Sequence, residues 1–123
     1  MPKLIFILED NEDLRELYGL ILAEENYDIS SFSTIKEFME HANEIPDLYL
    51  LDVMLPDGDG VALCKQLKEN PKTADVPVIM ISAHRDIADV KQQCPDSDFI
   101  AKPFDINHLS EQIAKRISVK QTS

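Results

Sequence analysis

Residues 48–60, LYLLDVMLPDGDG, place the strongest constraint on the fold. An apolar run, Leu48-Tyr49-Leu50-Leu51, stops at one carboxylate, Asp52, and a loop of turn formers, Pro56-Asp57-Gly58-Asp59-Gly60, follows at once. An apolar run without polar alternation reads as a strand buried on both faces, as in a parallel sheet. An acid between such a strand and a sharp turn lies at the carboxyl edge of the sheet. Open α/β folds bind their ligands at that edge.

Other runs follow the same plan. Residues 3–8, KLIFIL, form a first buried strand that ends at Glu9-Asp10. Asn11 is placed to cap a helix whose apolar face is Leu14, Leu17, Tyr18, Ile21 and Leu22. That helix ends near Asn26, a residue that tolerates the left-handed conformation. Residues 27–32 are a shorter, more polar edge strand. Ser33 can cap the next helix, with Ile35, Phe38, Met39 and Ala42 as its stripe. After the 48–52 strand, Asp59 can cap a helix carrying Val61, Cys64 and Leu67, which closes at Asn70-Pro71. Residues 76–81, VPVIMI, are a fourth buried strand ending at Ser82-Ala83. A weak helical segment over 85–94 and a short strand over 99–101 lead to Lys102-Pro103-Phe104. Asp105 caps a last helix with Ile106, Leu109, Ile113 and Ile117 facing inward, and residues 119–123 read as a frayed tail. Strand and helix thus alternate, which predicts parallel strands, right-handed crossovers and a three-layer α/β sandwich in one domain over 1–123.

Bulk properties narrow the function. A formal net charge of −11 argues against nucleic-acid binding through a basic face and against anionic membrane surfaces. No run approaches transmembrane length, and the apolar stretch at 4–8 is too short for a signal peptide, so a cytoplasmic location is expected. In that setting Cys64 and Cys94 are expected as free thiols in or near the core.

The strand ends carry the chemistry. Parallel strands would gather Glu9, Asp10, Asp52, Ser82 and Lys102 around one shallow pocket. Two carboxylates about 4 Å apart repel by roughly 4 kcal/mol at an effective dielectric near 20. Lys102 offsets part of this, and a divalent cation can offset the rest. An oxygen-only donor set suits Mg²⁺ and offers no soft ligand for zinc. A metal and Lys102 together would neutralise an incoming phosphoryl group, leaving Asp52 to attack phosphorus and form an acyl phosphate.

Taken together, Glu9-Asp10, the block PDLYLLDVMLPDGDG from Pro46, Ser82-Ala83 and Lys102-Pro103-Phe104 resemble the receiver domain of bacterial two-component response regulators, over nearly the whole chain. The resemblance implies a doubly wound, flavodoxin-like five-stranded parallel sheet of order 2-1-3-4-5. It implies Asp52 as phosphoacceptor, with Mg²⁺ (or Mn²⁺) held by Glu9, Asp10, Asp52 and the Met54 backbone carbonyl. It makes Lys102 the phosphate-binding lysine, Ser82 the switch hydroxyl and Phe99 the switch aromatic, and the Lys102–Pro103 peptide cis. The expected phosphodonor is a sensor histidine kinase or histidine phosphotransfer protein. The expected recipient is a downstream protein target or a fused output domain, contacted through the face formed by the fourth helix, fifth strand and fifth helix. Such a chain catalyses only its own phosphorylation and slow dephosphorylation.

Two departures from the family pattern carry information. Pro95-Asp96-Ser97 stands where Gly-Ala-Asp is usual, which predicts a short or irregular fourth helix. Met54 and His84 stand two residues beyond Asp52 and Ser82, positions that in the family flank the path of a dephosphorylating water. Met54 orients water poorly, which predicts a long-lived phosphorylated state. His41, His84 and His108 have no acid or nucleophile partner by sequence and are expected at the surface.

Two rival readings fit less well. A haloacid-dehalogenase-like Mg-dependent phosphatase needs a second acid where Met54 stands. A flavodoxin-type cofactor binder needs a small polar loop after the first strand, where this chain has Glu9-Asp10-Asn11-Glu12-Asp13.

Overall fold

The computed structural model describes residues 2–83 and 87–122, without the side chains of Ile87 and of 118–122. Five parallel strands form the central sheet: β1 (Leu4–Leu8), β2 (Asp28–Phe32), β3 (Leu48–Asp52), β6 (Val78–Ser82) and β7 (Asp98–Ala101). Their order, β2-β1-β3-β6-β7, is the doubly wound arrangement expected of the five main strands. A small antiparallel hairpin takes the two intervening numbers, β4 (Met54–Leu55) and β5 (Gly58–Asp59). The sequence pattern shows it only as a turn, because two-residue strands are too short to reveal a period.

The apolar runs split by parity, as a pleated strand requires. Phe6, Leu8, Tyr49, Leu51, Val78 and Met80 face one layer, where α2 (Ile35–Met39), α3 (Gly60–Glu69) and α4 (Ile87–Gln93) supply Phe38, Val61, Leu67 and Val90. Ile5, Ile7, Leu48, Leu50, Ile79 and Ile81 face the other. There α1 (Glu12–Glu24) and α5 (Ile106–Thr122) supply Tyr18, Leu22, Leu109, Ile113 and Ile117. Each such Leu or Ile contributes about 1.5–3 kcal/mol by burial, so the three central strands are anchored from both sides.

Caps act where their residue types suggest. The Asn11 side chain accepts from Leu14 N–H at 3.1 Å, Asp59 from Val61 at 2.8 Å and Asp105 from Asn107 at 2.7 Å. Asn26 adopts φ 63° after α1. The Lys102–Pro103 peptide is cis.

Several expectations need correction: Met39 and Ile106, expected on inward-facing stripes, are exposed. The cap of α2 is Thr34, whose hydroxyl accepts from Glu37 N–H, whereas Ser33 bonds the Glu37 carboxylate. That helix ends at Met39, before Ala42, and turns follow. Helix α5 is described through Thr122. Cys64 and Cys94 are joined as a disulfide with Cα atoms 6.4 Å apart, because α3 packs beside the end of α4 and brings the two buried side chains together. In the predicted weak segment at 85–94, the described helix is the seven-residue α4; residues 84–86, including His84, lie outside the described residues.

Candidate functional site

Four strand ends converge at the carboxyl edge of the sheet. The register sets Leu8 beside Leu51, Asp52 beside Ile81 and Ser82 beside Ala101. The residue after β1 is Glu9, the last of β3 is Asp52, the last of β6 is Ser82, and the residue after β7 is Lys102. Glu9, Asp10, Asp52, Met54, Ser82 and Lys102 line one cleft of about 250 Å³ with Asn11, Leu14 and Ala83. Sequence reasoning singled out all six; Phe99 does not line the cleft. It is half-buried in β7, in register with Met80, against the α2–α4 layer of the core.

Inside the cleft, charge is concentrated. Carboxylate oxygens of Glu9, Asp10 and Asp52 lie within 4.8 Å of one another. Glu9 is 2% exposed and Asp52 7% exposed, whereas Asp10 stands at the open rim. The Lys102 ammonium donates to Glu9 Oε1 at 3.1 Å and pairs with Asp52 Oδ2 at 3.5 Å. One cation therefore serves two buried acids. Burial first, and the Asp52 charge second, push the Glu9 carboxyl up from 4.5 to about 7, even with Lys102 pulling it down. Without further positive charge, Glu9 holds a proton across much of the acid range. This donor set, all oxygen, short of one cation and open on one side, fits a divalent metal such as Mg²⁺.

The loop that follows β3 is held by backbone fit. Gly60 N–H donates to Val53 O at 2.7 Å, and a Cβ at Gly60 would lie 2.0 Å from Asp52 O. Only glycine allows α3 to start this close to the Asp52 backbone. Asp57, in the same loop, accepts from Ile35 and Lys36 N–H at 2.9 and 3.0 Å, tying the turn to the start of α2. The Arg15 guanidinium donates to the Glu9 and Asp10 carbonyls at 2.9 and 3.1 Å, fixing the other rim.

Sequence reasoning missed several of these supports. Asp57 is one of several acids in the turn, and its contact with α2 spans more than twenty residues. Tyr18 was visible only as an apolar-face residue. Its hydroxyl is buried with no close hydrogen-bond partner among the described residues, and burial, then the Glu9 and Asp52 charges, raise its ionisation well above the ordinary range. Arg116 forks onto Asp98, binding α5 to the start of β7. His41 does have an acid beside it, Glu44 at 3.4 Å, one turn along and exposed.

Comparison with known proteins bears directly on this edge. Residues 5–114 match the family model described as response regulator receiver domain. The chain is 37% identical to the transcriptional regulatory protein CssR of Bacillus subtilis, over 97% of this chain and 53% of that protein. It is 32% identical to the phosphate regulon transcriptional regulatory protein PhoB of Escherichia coli, over 92% of this chain and 51% of that one. It thus spans about half the length of these curated relatives. Among solved structures, the signal receiver domain of a signal transduction histidine kinase from Syntrophus aciditrophicus superposes with a TM-score of 0.86 at 31% identity, covering 94% of this chain and 90% of that one. A CheY-like receiver domain from Methanospirillum hungatei superposes at 0.88 and 23% identity, over 99% and 98% of the two chains, a likeness of fold.

Proposed function

This chain belongs to the response regulator receiver domain family, and on that premise we propose that it is a phosphorylation-switched signalling domain whose acceptor is Asp52. One observation carries the assignment: the Asp52 carboxylate ends β3 inside the acidic cleft, 3.5 Å from the Lys102 ammonium. In the reaction a free Asp52 oxygen bonds to phosphorus as the bond from phosphorus to the donor's imidazole nitrogen breaks, and the imidazole leaves. Lys102 pairs with the phosphoryl oxygens, and the Ser82 hydroxyl and loop N–H groups, including that of Met54, donate to them. Glu9, Asp10, Asp52 and the Met54 carbonyl would hold Mg²⁺, which would supply the positive charge that Lys102 alone does not.

The phosphoryl group then draws Ser82 inward, and Phe99 moves toward the space it leaves, shifting an existing equilibrium. The change is read on the face formed by α4, β7 and α5, by a downstream protein or by an output domain fused beyond this receiver unit of 1–123. The donor is a sensor histidine kinase or histidine phosphotransfer protein. The acidic chain makes no direct nucleic-acid contact and works in the cytoplasm. No helix among the described residues is long and apolar enough to cross a membrane. The dehalogenase-like phosphatase reading lacks its acid, since exposed Met54 occupies that place.

Acetyl phosphate with Mg²⁺, followed by peptide mass mapping, tests this reading. One stable phosphoryl group on Asp52, absent from Asp52→Asn, is expected. Modification elsewhere, or multiple turnover without a stable adduct, contradicts it. Followed in time, Met54→Asn is expected to lose the group faster than wild type; equal or slower loss removes Met54 as a determinant of lifetime.

A further inference from the structure

Cys64 lies within α3, and Cys94 directly follows α4. Their bond therefore fastens the end of α4 to the body of the domain. Burial from α4 itself is slight: among its described side chains only Val90 is buried, and Ala88, Asp89, Lys91, Gln92 and Gln93 are exposed. A separate cleft of about 260 Å³ opens at this point, lined by Cys94, Gln93, Lys65 and Lys68 among others, but not by Cys64. An entering group meets the Cys94 side of the bond first. Two acids, Glu69 and Asp96, line the same cleft, so the charges of Lys65 and Lys68 are matched there, and an approaching thiolate meets exposed groups of both signs, Lys65 and Glu69 among them.

We propose that the Cys64–Cys94 pair is a second covalent modification site, a thiol–disulfide exchange site that takes a dithiol reductant and acts as a redox latch on α4. In the forward step a dithiol thiolate bonds to Cys94 Sγ, the bond between the cysteine sulfurs breaks, and Cys64 leaves as a thiolate. The reductant's second thiolate then attacks its own mixed-disulfide sulfur and releases Cys94. The protein disulfide gains two electrons and two protons, and the reductant becomes a disulfide. A small disulfide such as oxidised glutathione reverses the sequence. Because the sulfurs are buried, exchange follows local opening of α4, and reduction leaves Val90 as the sole described side chain burying this helix. The closed latch holds back the α4 movement that phosphorylation would drive. That last consequence rests on the proposed phosphoacceptor function; the exchange chemistry does not.

The full folded chain is treated with dithiothreitol without denaturant, and free thiols are counted by alkylation and mass. Both cysteines become accessible at a rate above that of global unfolding, and Lys65→Glu slows the reaction about threefold by repelling thiolate. Amide exchange over α4 becomes about tenfold faster in the reduced protein while β1 and β3 remain unchanged. The double variant Cys64→Ala/Cys94→Ala reproduces the reduced pattern. Reduction only through global unfolding, or equal α4 exchange in the two redox forms, overturns the latch. These readouts need no phosphorylation, so failure of both forms to take up beryllofluoride at Asp52 counts against the receiver reading and leaves the latch to be decided by exchange.

Discussion

From Leu48 to Asp52 every residue of β3 is buried, and its neighbours β1 and β6 are covered from both layers. Helix α4, which connects β6 to β7, exposes most of its described side chains and is tied at its end by one covalent bond. The two regions sit on one sheet but resist deformation differently. Around Asp52, packing on both faces and the close fit at Gly60 hold the backbone in one arrangement. Around α4, a short helix with one described buried apolar side chain can shift at small cost in burial. Group transfer needs charges held in fixed positions, and signalling needs a segment with a second accessible position. Under the proposed function the first requirement falls at the centre of the sheet and the second at its flank.

Gly60→Ala is the severest way to break that contrast. The added Cβ would lie 2.0 Å from Asp52 O and 3.0 Å from Val53 Cα. Alanine gains about 1 kcal/mol of helix propensity, whereas overpacking against backbone costs about 3 kcal/mol. A net loss of stability in urea denaturation, with slowed phosphorylation of Asp52, is expected. Unchanged stability and rate would show that the centre yields as readily as the flank.

A smaller effect concerns the acids. Glu9 titrates at about 7 in the folded protein against 4.5 unfolded, so the native state binds more protons between these values. Stability contributed by Glu9 is therefore greatest below 4.5 and falls as pH rises through 7. Without metal, the melting temperature of wild type should fall relative to Glu9→Gln over this window. Parallel curves would mean that the centre does not store unfavourable charge.

Much of the centre was legible in the chain because uninterrupted apolar runs mark β1, β3 and β6, and the residue closing each run is the one delivered to the sheet edge. Asn11, Asp59 and Asp105 were legible as caps because their side chains bond locally. The flank was harder to read. The Cys64–Cys94 bond depends on how α3 meets α4, a tertiary fact that thirty residues of separation conceal. Asp57 and Arg116 also act across long intervals, on α2 and on β7. Thr34 displaced Ser33 as a cap because adjacent hydroxyls are equivalent in sequence, and only the backbone decides which one lies at the helix start.

The most direct measurement is an amide chemical-shift map of the full chain with Mg²⁺, in the presence and absence of beryllofluoride as a stand-in for the phosphoryl group. Beyond the Asp52 loop itself, changes are predicted to run through Ser82 and β7 into α4, with the β1–β2 pairing little altered. Changes confined to the cleft, or spread evenly through β1 and β2, would contradict a fixed centre that drives a movable flank.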